Sequence, residues 1–290
     1  MELPDGVVQW VRDAVGSDAR AVHVHEMAGA TTSEVDALDV ERVHAPMQHL
    51  VLRRYTDPAV LEAEPDPVTR EVAVLNALEA VPIMTPRVVA ADPHGEVAGV
   101  PMLLMTRLHG KPRWKAREGL VDFLDQIALQ LPPVHAVAPT DPDFPQFRAY
   151  GAGHELDVPA WSRHADAWQR ALEMHQSDMP SYDPVLIHRD YHPGNVLWNG
   201  QVVSGVVDWV WGCRGPKLVD VAHCRVNLAL HIGIEAADMF LTAWETHAAV
   251  YGYDPTWDLR DAADVLPDLH ESHAALQRLD DFVARAAAAV

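Results

Sequence analysis

Residues 186–198 read LIHRDYHPGNVLW, a cluster of charged and amide side chains closed at both ends by aliphatic ones. Leu-Ile and Val-Leu belong inside a protein, whereas His-Arg-Asp ordinarily stays in water. The tetrapeptide YHPG between Asp190 and Asn195 is turn-forming. The stretch is therefore a polar turn between two short strands, and the turn is either solvated or a site. Asp208, about a dozen residues beyond Asn195, sits on the next apolar strand, VSGVVDW. If 195–198 pairs with 202–207 through the turn dipeptide Asn199-Gly200, Asp208 comes back toward the loop. One amide and two carboxylates then share a small region. Magnesium takes oxygen ligands, with one or two carboxylates plus water and phosphate. Asn195 and Asp208 suit that ion, and Asp190 is left to accept a proton from a hydroxyl. A single Asp or Asn here would read as a turn cap. The whole string H-R-D-x-x-x-x-N, with D-W after a second strand, favours the site.

The rest of the chain reads in two parts. GVVQWVRDAV (6–15) is a short amphipathic helix and AVHVHEM (21–27) alternates like a strand. AGATTSEVDAL reads as a tight loop, then VERVH (40–44) and HLVLRRY (49–55) as strands. TREVAVLNALEAV (69–81) places Val72, Leu75, Leu78 and Val81 at helical spacing. RVVAAD and VPMLLMTRL read as a strand pair. After Gly110 the pattern turns helical: 117–137, broken near Pro132, and 158–176, with Trp161, Ala165, Trp168 and Leu172 on one stripe, which reads as core or as the wall of an apolar pocket. LVDVAHCRVNLALHI, EAADMFLTAWETHAAVYG and ESHAALQRLDDFVARAAAA complete a helical C-terminal half.

Composition narrows the function classes. Lys and Arg total 22 against 42 Asp and Glu, a formal net charge of −20. That balance argues against nucleic acid or an anionic membrane as partner. It allows a cationic substrate as well as a plain solvated acidic surface. Two cysteines, Cys213 and Cys224, cannot build a disulfide framework or a four-thiolate zinc site, and read as buried thiols of a reducing cytoplasm. MELPDGVVQWVRDAV lacks a signal-peptide core, and no run reaches the ~18 apolar residues of a membrane span. A cytoplasmic protein is expected. A metal hydrolase on His188, Asp190 and His192 would need helical spacing, and Pro193-Gly194 makes a turn instead.

His188, Asp190 and Asn195 resemble the catalytic loop of protein-kinase-like phosphotransferases. HRDYHPGNVLW is similar to the form of that loop in the aminoglycoside phosphotransferase family, whose relatives include choline, homoserine and macrolide kinases. Asp208-Trp209 matches the family's metal-binding aspartate, and GPKLVDVAH (215–223) its following segment, with Asp220 holding the catalytic loop. The resemblance implies an α+β, bilobal, protein-kinase-like fold. A small β-rich nucleotide-binding lobe with one main helix would span 1–104, a hinge 105–110, and a larger α-rich catalytic and substrate lobe 111–290.

It implies equally a reaction: ATP or GTP, with Mg²⁺, phosphorylating a hydroxyl of a small molecule, either a cationic one such as an aminoglycoside or choline, or a macrolide, homoserine or a sugar. A nucleotide-binding pseudokinase is the alternative. Asp190 is then the catalytic base, and Asn195 and Asp208 hold the metal. LVLR makes Arg53, in place of the commoner lysine, the phosphate-binding basic residue, paired to Glu71. Thr31, Thr32 and Ser33 stand where the family's phosphate-covering loop lies, in a plain turn or a hydroxyl-rich phosphate loop. Backbone groups of Met105, Thr106 and Arg107 would meet the adenine edge. For the acceptor's ammonium groups the helical half offers Glu155, Asp157, Asp166, Glu235, Asp268 and Glu271.

Overall fold

A computed structural model describes residues 3–27, 33–63, 66–116 and 119–290. The chain divides into two compact units, residues 1–80 with 84–109, and residues 81–83 with 110–290.

The N-terminal unit runs α1 (Asp5–Val15), β1 (Ala19–Glu26), β2 (Glu34–Arg42), β3 (Gln48–Arg54), α2 (Pro58–Ala63), α3 (Pro67–Ala77), β4 (Val88–Asp92) and β5 (Met102–Thr106). The five strands form one sheet in the order β1-β2-β3-β5-β4, every neighbour antiparallel. Leu38, Val40, Leu50, Leu52, Met102 and Leu104 make one apolar face, and Val7 and Val11 of α1 bury against it. Leu50 and Leu52 point into that core. The pleat therefore turns Arg53 to the opposite face.

Strand β2 begins inside the segment expected to be a loop. Its sequence, EVDALDVER, looks too acidic for a sheet. Asp36 is nonetheless buried on the inward side, where Arg54 of the adjacent strand pairs with it at 2.8 Å. A cross-strand partner makes an inward carboxylate tolerable, and that partner lies far along the chain. Helix α3 stops at Ala77, a turn short of the expected Val81. Val81 precedes Pro82, a position that disfavours helical backbone. The face that α3 buries is Glu71, Val74 and Leu75, with Val72 only half-buried.

The C-terminal unit continues with β6 (Lys111–Pro112), α4 (Leu120–His135), α5 (Ala165–Gln176), β7 (Val185–Ile187), β8 (Val196–Asn199), β9 (Val202–Val206), β10 (Cys213–Gly215), α6 (Leu218–His231), α7 (Ile234–Ala248), α8 (Thr256–Asp264) and α9 (His273–Ala289). The strands form two small sheets, β6-β8-β9 and β10-β7. The helices pack α4 on α7, α5 on α8 and α6 on both α7 and α8. Trp168, Trp244, Phe240 and Phe282 fill the core between them.

Helix α4 runs through Pro132 and Pro133 rather than breaking at the first. The two missing N–H groups fall in the final turn, and the helix ends at His135. Helix α5 starts at Ala165, not 158. Asp280 of α9 explains the late start. Its carboxylate accepts from Ser162 Oγ (2.6 Å), from the Arg163 backbone N–H (2.8 Å) and from Trp168 Nε1 (2.9 Å), which draws the preceding turn out of helical register. Trp161 therefore sits ahead of the helix, half-buried and edge-on to Trp168 at 5.4 Å, and Trp168 is core. Among the described residues no helix is long and apolar enough to cross a membrane. Cys213 and Cys224 are buried thiols.

Candidate active site

The turn from Asp190 to Asn195 is held from three sides. Beneath it Asp220, fully buried on α6, accepts from the backbone N–H of His188 (2.9 Å) and of Arg189 (2.6 Å), and from His135 Nε2 (2.9 Å). The Tyr191 hydroxyl donates to the Ile127 carbonyl of α4 at 2.7 Å. Pro193–Asn195 closes as one 3₁₀ turn, with the Asn195 N–H on the His192 carbonyl at 2.9 Å. Gly194 has no room for a side chain: a Cβ there would lie 2.7 Å from both the His192 ring and the Trp114 ring.

Strands β8 and β9 pair antiparallel, with the register Val196↔Val206 and a turn at Gly200 in the left-handed region (φ 64°). The ladder extends one step further, Val207 N–H to the Asn195 carbonyl at 2.9 Å. That bond brings the chain at Asp208 back to the end of the 190–195 turn. Arg189 (φ 71°) and Asp208 (φ 67°) both hold left-handed backbone without being glycine. Such backbone costs about 1–2 kcal/mol and persists only where the surroundings impose it.

Each side chain of the string has a distinct place. His188 is fully buried, donates from Nε2 to the Val207 carbonyl (2.9 Å) and lies 4.4 Å from the Trp209 ring. Burial pushes its pKa below the ordinary 6.5, so the ring is neutral. Arg189 does not reach solvent. Its guanidinium lies 3.7 Å from the Tyr150 ring centre, with Trp211 at 5.6 Å and Phe147 at 5.7 Å. Such stacking suits a desolvated guanidinium. His192 stacks on Trp114 (4.8 Å, 15° between planes), and Trp114 in turn touches His231 at 4.3 Å.

The two carboxylate oxygens of Asp190 have different partners. Oδ1 faces His223 Nε2 (3.1 Å) and His192 Nε2 (3.5 Å), while Oδ2 accepts from Asn195 Nδ2 (3.1 Å). Burial raises its pKa, but hydrogen bonds and charge from His192 and His223 outweigh that and hold it well below 3.8. The Asn195 amide also donates to the Asp190 carbonyl (2.8 Å), so Nδ2 is committed to Asp190 and Oδ1 is the atom able to serve as a ligand. Asp208 is half-buried beside it. Two oxygen donors of this kind fit Mg²⁺, which completes its shell with water and phosphate.

In the N-terminal unit Arg53 and Glu71 form a buried pair, Nη1 to the two carboxylate oxygens at 3.2 and 3.3 Å, and the Tyr55 hydroxyl donates to Glu71 at 2.8 Å. Met105 and Thr106 lie within β5. The N–H groups of Thr106 and Arg107 are engaged with the carbonyls of Arg87 (2.9 Å) and His49 (3.0 Å), and the Arg107 side chain is ion-paired to Asp39 at 2.8 Å. Ser33 is half-buried at the entry to β2, and Thr31 and Thr32 lie outside the described residues. Of the six acids in the helical half, Glu271 reaches the His231–Trp114–His192 stack, 4.0 Å from His231. Glu155, Asp157, Asp166 and Glu235 are exposed, and the side chain of Asp268 lies outside the described set.

Sequence reasoning missed His223 and Asp261. His223 follows Asp220 by three residues, so both point from one face of α6 to the loop, and that spacing was a usable signal. Asp261 sits on α8, whose sequence TWDLRDAAD shows no apolar stripe because Asp258, Arg260, Asp261 and Asp264 are themselves buried.

A model of the phosphotransferase enzyme family matches residues 31–259. A homoserine kinase of Chelativorans sp. (strain BNC1) is 28% identical over 208 residues, 65% of this chain and 60% of that protein's length. Aminoglycoside phosphotransferase APH(4)-Ia, solved as a thermostable mutant in ternary complex with AMP-PNP and hygromycin B, superposes with a TM-score of 0.65 at 16% identity, covering 99% of this chain and 100% of that one. The macrolide 2'-phosphotransferase MphH of Brachybacterium faecium gives 0.60 at 16% identity over 95% and 98%. These likenesses establish a protein-kinase-like fold.

Proposed function

The chain belongs to the phosphotransferase enzyme family, and from that premise we propose that it moves the γ-phosphoryl group of ATP or GTP to a hydroxyl of a small molecule in the cytoplasm. The observation that carries this reading is the clamped turn, which puts a low-pKa carboxylate and a ligand-ready amide oxygen on one rigid loop with Asp208 beside them. Asp190 Oδ2 receives the acceptor's hydroxyl. As the acceptor oxygen bonds to phosphorus, the bond from phosphorus to the leaving nucleoside diphosphate breaks and the hydroxyl proton passes to Asp190. Because the carboxyl is strongly acidic here, its work is mainly orientation, which suits a reaction driven by positioning and charge neutralisation. Asn195 Oδ1 and Asp208 are the groups that would hold Mg²⁺, which when bound neutralises charge on the phosphates. On the N-terminal unit Arg53, kept in place by Glu71 and Tyr55, would grip phosphate oxygens. With the N–H groups of Thr106 and Arg107 engaged, adenine contact on β5 would fall to carbonyls.

The acceptor class follows from charge and relatives together. A formal charge of −20 and Glu271 next to the His231–Trp114–His192 stack favour an amino-bearing alcohol. Its simplest forms are an amino acid such as L-homoserine or an aminoglycoside such as hygromycin B, and the latter would make the protein a resistance enzyme. The test is transfer from γ-³²P-ATP with Mg²⁺ to L-homoserine, hygromycin B, a macrolide and choline. Phosphorylation of any one supports the reading. Nucleotide binding with no transfer to any of them would point to a binding protein instead.

A further inference from the structure

His223 is wedged between two acids. Its Nε2 lies 3.1 Å from Asp190 Oδ1 and its Nδ1 lies 3.2 Å from Asp261 Oδ1. Ionised carboxylate oxygens only accept hydrogen bonds. A neutral imidazole has one N–H and one lone pair, so between two ionised carboxylates one of these contacts would set lone pair against lone pair. Two arrangements satisfy both contacts: a doubly protonated ring between two carboxylates, or a neutral ring accepting at Nδ1 from a protonated Asp261, whose pKa burial raises. Asp261 is tied to α8 and His223 to α6, two helices that pack together, so the wedge cannot swing freely. His192 adds to the same side of Asp190. Its Nδ1 accepts from the Gly194 N–H (3.0 Å), and its Nε2 lies 3.5 Å from Asp190 Oδ1 and 3.3 Å from Asn195 Nδ2.

We propose that His223, doubly protonated between Asp261 and Asp190, is a positioning residue for phosphoryl transfer: it occupies Oδ1 of Asp190 and thereby fixes Oδ2 as the oxygen that meets the acceptor hydroxyl. The proposal rests on the phosphotransferase reading. With Oδ1 committed, the carboxylate cannot flip to offer its other edge, and the imidazolium neutralises one of the two flanking acids. Asp190 and His192 face the ring from the catalytic turn, Asp261 from α8, with Asp264 a turn further along, and Tyr150 from the loop before α5 at 6.4 Å. Burial alone would lower the His223 pKa, and the two carboxylates overcome this and raise it well above 6.5.

A merely structural ion pair between α6 and α8 would look the same in a static picture, so the test needs readouts that separate the two. In the full chain labelled with ¹⁵N-histidine, the His223 ring nitrogens should both report protonation at pH 7.5. Asp261→Asn should return the ring to a single proton at that pH. A singly protonated ring in the unmutated protein overturns the proposal whatever the activity. In turnover of MgATP with water, L-homoserine and hygromycin B as acceptors, His223→Phe should lower kcat about 10²-fold, the low end of what a misplaced base costs. His223→Gln, which keeps an N–H toward Asp190, should recover to within about 10-fold, with KM for ATP unchanged. The unmutated enzyme should lose kcat as pH rises through the His223 pKa, and the Gln variant should not show that limb. Equal kcat for the folded Phe variant, or an unchanged limb in the Gln variant, sinks the positioning role while leaving phosphoryl transfer standing. Asp261→Asn checks the same point should the Phe variant fail to fold, and it must lower kcat in the same direction. No transfer and no ATP binding by the unmutated protein overturns the phosphotransferase reading itself, and the positioning role with it.

Discussion

Glu71 and Asp190 are both acids fixed by basic neighbours, yet the neighbours differ in kind. Glu71 is held by Arg53 and by the Tyr55 hydroxyl, in a pocket where its side chain is 1% exposed. Asp190 is held by two histidines and an amide, with its side chain 26% exposed. A guanidinium keeps its charge at every accessible pH, while an imidazole titrates in the physiological range unless its surroundings prevent it. The first pair is thus a fixed brace. The second is an adjustable one, and it stands where the proposed reaction would deliver a proton.

Four experiments sharpen that contrast, from the largest effect to the smallest. Asp190→Asn should cut kcat by roughly 10²–10⁴ while the Kd for nucleotide holds, because the base is lost and the phosphate contacts are not; stopped-flow turnover alongside calorimetric ATP titration measures both. Glu71→Ala takes a carboxylate partner from a buried guanidinium and should cost up to about 3–5 kcal/mol in urea unfolding, whereas Arg53→Met with Glu71→Leu should cost far less. If the single and double variants are equally unstable, the brace is not an ion pair in any useful sense. Gly194→Ala pushes a methyl into His192 and Trp114. It should destabilise by about 1–3 kcal/mol and lower kcat, since His192 must move. The smallest effect concerns pH. The His223 pKa is raised on folding, so its stabilisation is complete below about pH 6.5 and fades as pH climbs through the raised folded value. The stability gap between the unmutated chain and His223→Gln, followed by urea midpoints from pH 5.5 to 9, should narrow toward alkaline pH. The gap for Arg53→Met with Glu71→Leu, which removes both charges of the brace, should stay flat over the same range.

The parts that the residues announced in advance are those governed by neighbours along the chain. The YHPG turn, the Asn199-Gly200 hairpin and strand β3 are all local patterns, and each appears where expected. The clamp of Asp220 on the loop came from a family resemblance, and its two backbone bonds are present. What stayed hidden depends on partners far apart. Strand β2 hides behind Asp36, which Arg54 neutralises, and α8 hides behind four buried charged residues. The start of α5 is set by Asp280, more than a hundred residues later. For the same reason the Asp190–His223–Asp261 chain is invisible in one dimension: only the packing of α6 on α8 brings its members together.

The left-handed backbone at Asp208 bears on how this protein would respond to laboratory evolution. Glycine adopts that conformation at no steric cost, so Asp208→Gly relieves about 1 kcal/mol of backbone energy. It also deletes a carboxylate that the proposed chemistry requires. A library selected for heat resistance alone would enrich glycine at this position and drift toward a sturdier, inert protein. Stabilising this scaffold without silencing it therefore calls for a selection that scores turnover in every round.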